Sequence, residues 1–356
     1  MRRLVRQFVV SAVSRFGLSR LVFRLHRTLR GRGMLVIFTY HRIVDGSLTR
    51  TFYTDYDRGT DVGMFERHLV AIRRHYRLVD LHEFIRLLRG EYPLTFHAAM
   101  LTFDDADSDL LTTALPVLQR HRTGGVVAAP VELIGSDERL WHVRMSNLFR
   151  YISDDHWSEI QSRSADWPPA VARIVRDTAL PTVDRRRDLC RAVNRALDTV
   201  DHDTVDRVVE EWENIVQPPE QLPITATDWT QLMTMEKSGL QVESHGLTHR
   251  KLTTLTKAQM GRELSESKHL LEERLGKTVR AIAYPQGYYD DRVLESARDA
   301  GYEIGLTTQR TPCNVPSDGL DNYRVPRTDV FGDTPEELDY YFAKLCLKSL
   351  FRHKPW

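Results

Sequence analysis

The chain has 356 residues, enough for one large domain or two ordinary ones, and its 41% hydrophobic content supplies a sizeable core. A formal charge of only +1 gives no global case for binding nucleic acid or another acidic polymer. The three cysteines, Cys190, Cys313 and Cys346, are odd in number and widely spaced, which excludes a disulfide framework or a zinc knuckle and fits a reducing compartment.

Residues 1–33 carry nine arginines and no acidic residue. Their apolar runs fall short of the ~7–15 residues of a secretory h-region and the ~20 of a membrane span. Leu4, Phe8, Ala12 or Val13, Phe16 and Phe23 recur at helical spacing. This pattern suggests a basic amphipathic helix that lies on an anionic membrane surface or docks on the protein's own body. A mitochondrial transit peptide has a similar composition.

From residue 34 strands and helices alternate. The run 34–40 reads as a buried strand and is followed by helical periodicity over 64–76 and 81–90. A strand at 98–103, a helix over 109–121 and a strand at 124–130 come next. After residue 238 the pattern resumes with strand 239–244, helix 256–275, strand 279–284, helix 291–301 and strand 302–308. Thr256 and Gln259 have capping-box spacing, and Gly276 closes the same helix. Thr334-Pro335-Glu336-Glu337 opens a last helix with cap, N1 proline and reciprocal glutamate. Residues 136–222 break the rhythm with charge-rich helical stretches and read as a helical insertion. The organisation expected is therefore a basic segment 1–33, a core of 34–135 and 223–356, and an insertion 136–222. Apolar strands alternating with helices predict a parallel sheet, open or closed into a barrel.

Polar residues cluster just past three predicted strands: Asp104-Asp105, His245 with His249, and Pro285-Gln286-Gly287. In parallel α/β folds one end of the strands carries the functional loops, so these can meet. Two neutral imidazoles and a carboxylate form a three-ligand, zinc-type site with room for water. A divalent ion there lowers the pKa of water to about 7, and a second carboxylate can act as general base. The structural alternatives are plain: a Phe-Asp-Asp triplet caps a following helix, and His-x3-His alone is a weak signal.

In this order, the stretches "LTFDDADSDLLTTALPVLQRH", "ESHGLTHRKLTTLT", "AIAYPQGYYDDRVLESARDAGYEIGLTT" and "RVPRTDV" resemble the polysaccharide deacetylase family, metal-dependent carbohydrate esterases. The stretch "MLVIFTYHRIVDG" is similar to the Tyr-His-Arg opening of one branch, and an insertion opening like "RLWHVRMSNLF" is also familiar there. The resemblance covers roughly 34–135 and 223–332 and implies a distorted (β/α) barrel. It implies Asp104 as general base, with Asp105, His245 and His249 holding a divalent metal: zinc first, then cobalt, nickel or manganese. It makes His41 the general acid toward the departing amine and Arg327 the residue that orients the base. Tyr284, Pro285, Gln286 and Gly287 form the substrate loop, with a backbone N–H near Gln286 helping hold the oxyanion.

The sequence departs from the family pattern at several positions. Ala106 replaces a glycine, which costs energy if that position needs a positive φ. Gln286 replaces a tyrosine, "GGVVAAP" stands for the usual Thr-Phe-Phe strand, and the arginine many members carry before the loop is absent, with Ala283 nearby.

The implied activity is hydrolysis of a non-peptide C–N amide bond. It would remove N-acetyl groups from amino sugars such as N-acetylglucosamine, in a polysaccharide or lipid-linked saccharide. The expected partners are an N-acetylated glycan or glycolipid and an anionic membrane touched peripherally through residues 1–33, with no nucleic acid. The expected location is cytoplasmic and membrane-peripheral. De-N-acylation of a non-sugar amide, a catalytically silent metal- or glycan-binding member, and a scaffold recruiting partners through its insertion or basic arm remain the alternatives.

Overall fold

A computed structural model describes residues 10, 17–46, 59–220, 226–309, 311–312 and 321–351. Helix α1 (Leu18–Arg30) leads into β1 (Leu35–Tyr40), then β2 (Ile43–Val44), β3 (Thr60–Asp61), α2 (Val62–His75), β4 (Arg77–Leu78) and α3 (Leu81–Leu88). Strand β5 (Ala98–Asp104) is followed by α4 (Leu115–Arg120) and β6 (Gly125–Ala129). Five helices come next: α5 (Trp141–Tyr151), α6 (Asp154–Ser162), α7 (Pro169–Asp177), α8 (Arg186–Leu197) and α9 (His202–Val216). The chain then runs through α10 (Trp229–Lys237), β7 (Leu240–Ser244), α11 (Lys257–Leu275), β8 (Ala281–Ala283), α12 (Asp291–Asp299), β9 (Ile304–Leu306), β10 (Thr328–Asp329) and α13 (Pro335–Phe351).

The main sheet is parallel, ordered β10-β1-β5-β6-β7-β8-β9, with β4 beside the start of β5. Its two edges meet through one short segment. Val325 pairs with Leu306 of β9, and three residues later Thr328 and Asp329 pair with Phe38 and Thr39 of β1. The sheet therefore curls into the distorted (β/α) barrel that the motifs imply.

Alternation along the strands separates two cores. Val36, Phe38, Leu101, Phe103, Val127, Val242 and Ile282 face the surrounding helices, packing with Phe65, Leu69, Leu264 and Val293. Leu35, Ile37, Ala98, Met100, Val126, Ala128, Ala281 and Ile304 form the other face, closed by Leu81, Phe84, Ile85 and Leu88 of α3. Residues 141–216 have a separate core centred on Trp212, Phe149, Trp157 and Val208.

Several details differ from the pattern expected of the sequence. Strands β2, β3, β4 and β10 are two residues long, too short to show any periodicity. The helix expected over 109–121 begins with a π-helical turn, Leu110–Ala114. Pro116 offers no N–H for an α-helical bond back to Thr112, which favours the wider turn there. Thr256 and Gln259 form the expected capping box. At α13, Glu337 Oε2 instead accepts from the Asp333 N–H at 3.0 Å, one residue before the cap. Of the N-terminal pattern, Leu4, Phe8, Ala12, Val13 and Phe16 lie outside the described residues. No helix among the described residues is long and apolar enough to cross a membrane.

Candidate metal centre and active site

The inner face changes from apolar to polar along each strand. On β1 the inward series Leu35, Ile37, Thr39 continues to His41; on β5, Ala98, Met100, Thr102 continues to Asp104. Thr39 and Thr102 hydroxyls bond each other at 3.2 Å, marking the transition. A regular strand would point Asp105 away from this interior. Instead Asp105 and Ala106 adopt φ of 72° and 50°, left-handed steps that turn the chain and bury both side chains. Ala106 thus occupies the conformation in which a β-carbon is costly, and the cost is accepted at the site.

On β7 the same alternation carries Gln241 and Glu243 to His245. His245 Nδ1 lies 2.7 Å from the Ala283 carbonyl, which can only accept, so Nδ1 bears the hydrogen and Nε2 presents its lone pair. That Nε2 is 3.5 Å from Asp105 Oδ1, and His249 Nε2 is 3.3 Å from the same oxygen. The turn between the histidines is held by Glu263 of α11. Its Oε2 accepts the Leu247 and Thr248 N–H groups at 2.9 and 3.0 Å, and its Oε1 accepts the Thr248 hydroxyl. His249 itself has φ 60°.

The three donors Asp105, His245 and His249 are buried and lie within 4.8 Å of one another. Asp105 Oδ1 has no hydrogen-bond partner among the described residues. Burial drives His245 down to about 4, so its ring is neutral at pH 7. Burial opposes the Asp105 charge, but His249 and His245 outweigh it and hold the carboxyl well below its usual range. Two imidazole nitrogens and an ionised carboxylate thus converge, and a divalent cation fits them.

Asp104 has a different set of partners. Arg327, on the segment that closes the barrel, grips it with Nη1–Oδ1 and Nη2–Oδ2 at 2.6 and 2.8 Å. The guanidinium is itself fixed by Nε to the Thr307 carbonyl at 3.1 Å. Burial would raise the Asp104 carboxyl, but Arg327 outweighs it and, with His245 and His41, holds it below its ordinary value. His41 Nε2 is 4.0 Å from Asp104 Oδ2, and its side chain is 41% exposed at the mouth.

The loop after β8 divides in two. Tyr284 was expected among the substrate-loop residues, but its side chain is buried in the core and its hydroxyl donates to the Tyr323 carbonyl at 3.0 Å. Pro285 is likewise buried. Gln286 has φ 57°, and its Oε1 has no partner among the described residues. Gly287 has φ 76°, and an added β-carbon would lie 2.0 Å from the Thr308 hydroxyl, so only glycine fits.

One neighbour was not singled out from sequence. His142, at the start of α5, brings the helical insertion to the centre, its ring 6.4 Å from that of His249. Burial pushes it down to about 3, so it is uncharged at neutral pH. The only sequence hint was its place in the aromatic opening of the insertion.

Comparison with known proteins agrees with this architecture. Residues 204–305 match the family model described as polysaccharide deacetylase. A 79-residue stretch, 22% of the chain, is 34% identical to YxkH of Bacillus subtilis (strain 168) and covers 28% of it. Another of 77 residues, also 22% of the chain, is 32% identical to the poly-beta-1,6-N-acetyl-D-glucosamine N-deacetylase of Staphylococcus epidermidis and covers 26% of it. The matches thus span little more than a quarter of these relatives. In fold, the chain is similar to IcaB from Ammonifex degensii, with TM-score 0.56 and 18% identity over 87% of this chain and 97% of that one. It is also similar to the Streptococcus pyogenes deacetylase PplD, with TM-score 0.55 and 16% identity over 88% and 99%. Over part of its length, then, the chain is similar to polysaccharide deacetylases.

Proposed function

We propose that this chain is a metal-dependent hydrolase that removes N-acetyl groups from amino sugars of a polysaccharide or lipid-linked saccharide. The observation that carries the reading is the division of labour between adjacent carboxylates: Arg327 grips Asp104, while Asp105 faces two histidines. Asp105, His245 and His249 would hold a divalent ion, zinc before cobalt, nickel or manganese, which would supply Lewis acidity toward the amide carbonyl. Asp104, kept ionised by Arg327, takes a proton from the attacking water as its oxygen bonds to the carbonyl carbon. The oxyanion that develops is met by the backbone N–H of Gln286. His41 gives a proton to the departing nitrogen as the C–N bond breaks, leaving acetate and an amine.

The name of the Staphylococcus epidermidis relative supports N-acetylglucosamine polymers as the first substrates to test. The arginine-rich residues 1–33 support a lipid-linked form met at the cytoplasmic face of an anionic membrane. The test is acetate release from N-acetylglucosamine oligomers with added zinc, alongside metal content by mass spectrometry. We expect about one ion per chain, lost in His249→Ala, and a fall of roughly 10²-fold or more in rate for Asp104→Asn. Undiminished activity in Asp104→Asn would refute the assignment of the base. A metal-loaded chain that binds saccharides but releases no acetate would identify a silent member of the family.

A further inference from the structure

We infer that the outward face of α1 is a docking surface for an anionic phospholipid bilayer. One side of this helix is committed to the body. Phe23 stacks on His75 at 4.6 Å and meets His97 edge-on at 4.9 Å; His26 Nε2 lies 3.1 Å from the Ser349 hydroxyl of α13. Arg30 reaches the Ser349 carbonyl at 2.7 Å. The opposite side carries Leu18, Leu21, Leu25 and Leu29, exposed by 40, 60, 47 and 64%. These are four of the nine exposed large hydrophobics among the described residues, so the stripe is a concentrated patch.

At about 100° per residue, Arg20, Arg24 and Arg27 fall on the flank between the leucine stripe and the docked side. That flank continues into a groove of about 540 Å³ lined by Arg27, Arg73, Arg74, Arg77 and Arg122, with no carboxylate in its wall. Arg77 is paired with Glu83, and Arg73 donates to the His121 carbonyl. Arg27, Arg74 and Arg122 make no ion pair among the described residues.

An apolar ridge bordered by unneutralised guanidinium groups is complementary to acyl chains beneath anionic headgroups. Charge argues against a second copy of the chain as the occupant. The surface is cationic, residues 1–33 contain no acid, and two such faces would repel.

The arrangement also orients the enzyme. The groove is built at the starts of β4 and β5, from Arg77 and Phe96–His97, whereas Asp104 ends β5. The length of the strand, about 20 Å, separates the docking face from the catalytic mouth. The mouth therefore opens away from the bilayer, and the acetylated sugars must extend from it. Bilayer docking itself does not depend on the catalytic reading.

The experiment uses the full chain in flotation assays with phosphatidylcholine vesicles and with vesicles containing one-third phosphatidylglycerol. We expect binding to the anionic vesicles only, weakening as salt is raised. Leu21→Glu/Leu25→Glu should lower that binding at least tenfold with its unfolding midpoint unchanged, since both side chains are exposed. Arg27→Glu/Arg74→Glu should also weaken it. Equal binding to both vesicles, or full binding by the leucine variant, overturns the proposal. So does a markedly lowered midpoint in the leucine variant, which would mean that the chain itself covers the stripe. A wild-type dimer made monomeric by the leucine variant would assign the face to self-association and equally overturn it.

Discussion

Replacing Glu263 by alanine should loosen the turn between the two histidines without touching either. The carboxylate accepts two backbone N–H groups, of Leu247 and Thr248, and the Thr248 hydroxyl. Hydrogen bonds to a charged group contribute about 1.5–3 kcal/mol each, and removing the acceptor leaves two donors that nothing else satisfies. The three bonds share one carboxylate and are not additive, so about 2–4 kcal/mol is the expected loss. His249 follows this turn directly in a left-handed conformation, and its Nε2 must stay near Asp105. Groups that orient metal ligands from behind typically govern about 10–100-fold in metal affinity, and a loss in that range is expected here. Denaturant unfolding of the metal-free chain measures the first effect, and zinc titration against a competing chelator the second. A Glu263→Ala chain that unfolds within about 0.5 kcal/mol of wild type and binds zinc equally well would refute the argument.

Arg327→Met leaves a buried carboxylate without its partner and should cost about 3–5 kcal/mol at pH 7. In the wild type, Asp104 is depressed on folding, so its contribution is present above its unfolded value and is lost as pH falls through the folded one. Without Arg327, burial dominates and raises the group, so the penalty should be smaller at pH 4 than at pH 7. Unfolding both chains in chelator at the two pH values checks this, and a pH-independent difference would contradict it. Ala106→Gly removes the strain of φ 50° but also a fully buried methyl worth about 0.8 kcal/mol, and it adds unfolded-state freedom. These effects nearly cancel, so thermal unfolding should show a change within about 0.5 kcal/mol; a gain above about 1.5 kcal/mol would show that the strain outweighs both.

Much of the barrel was legible because its signals are local. The runs that become β1, β5 and β6 are buried on both faces, and the Thr256–Gln259 box and Gly276 bound α11 as their chemistry requires. The motif order also pointed to Asp104, Asp105, His245 and His249 as neighbours. Local pattern was blind to β10, whose two residues have no period of their own and exist as a strand only because β1 lies alongside. It was equally blind to the inward turn of the Tyr284 side chain, which depends on the accepting carbonyl of Tyr323 in a distant segment.

The sequence by itself determined the alternation of elements, the family resemblance and the residue types available for chemistry, since these depend on periodicity, capping and motif order along the chain. Only the tertiary structure decided how those residues meet. Closing the barrel through 325–329 brings Arg327 onto Asp104 across 223 residues. Left-handed steps at Asp105 and Ala106 turn a side chain that alternation would have sent outward. Glu263 and His142 reach the centre from a helix and an insertion whose own patterns report only their burial. Such convergence is a property of non-local pairing, in which each strand's direction is set by neighbours far away in the chain.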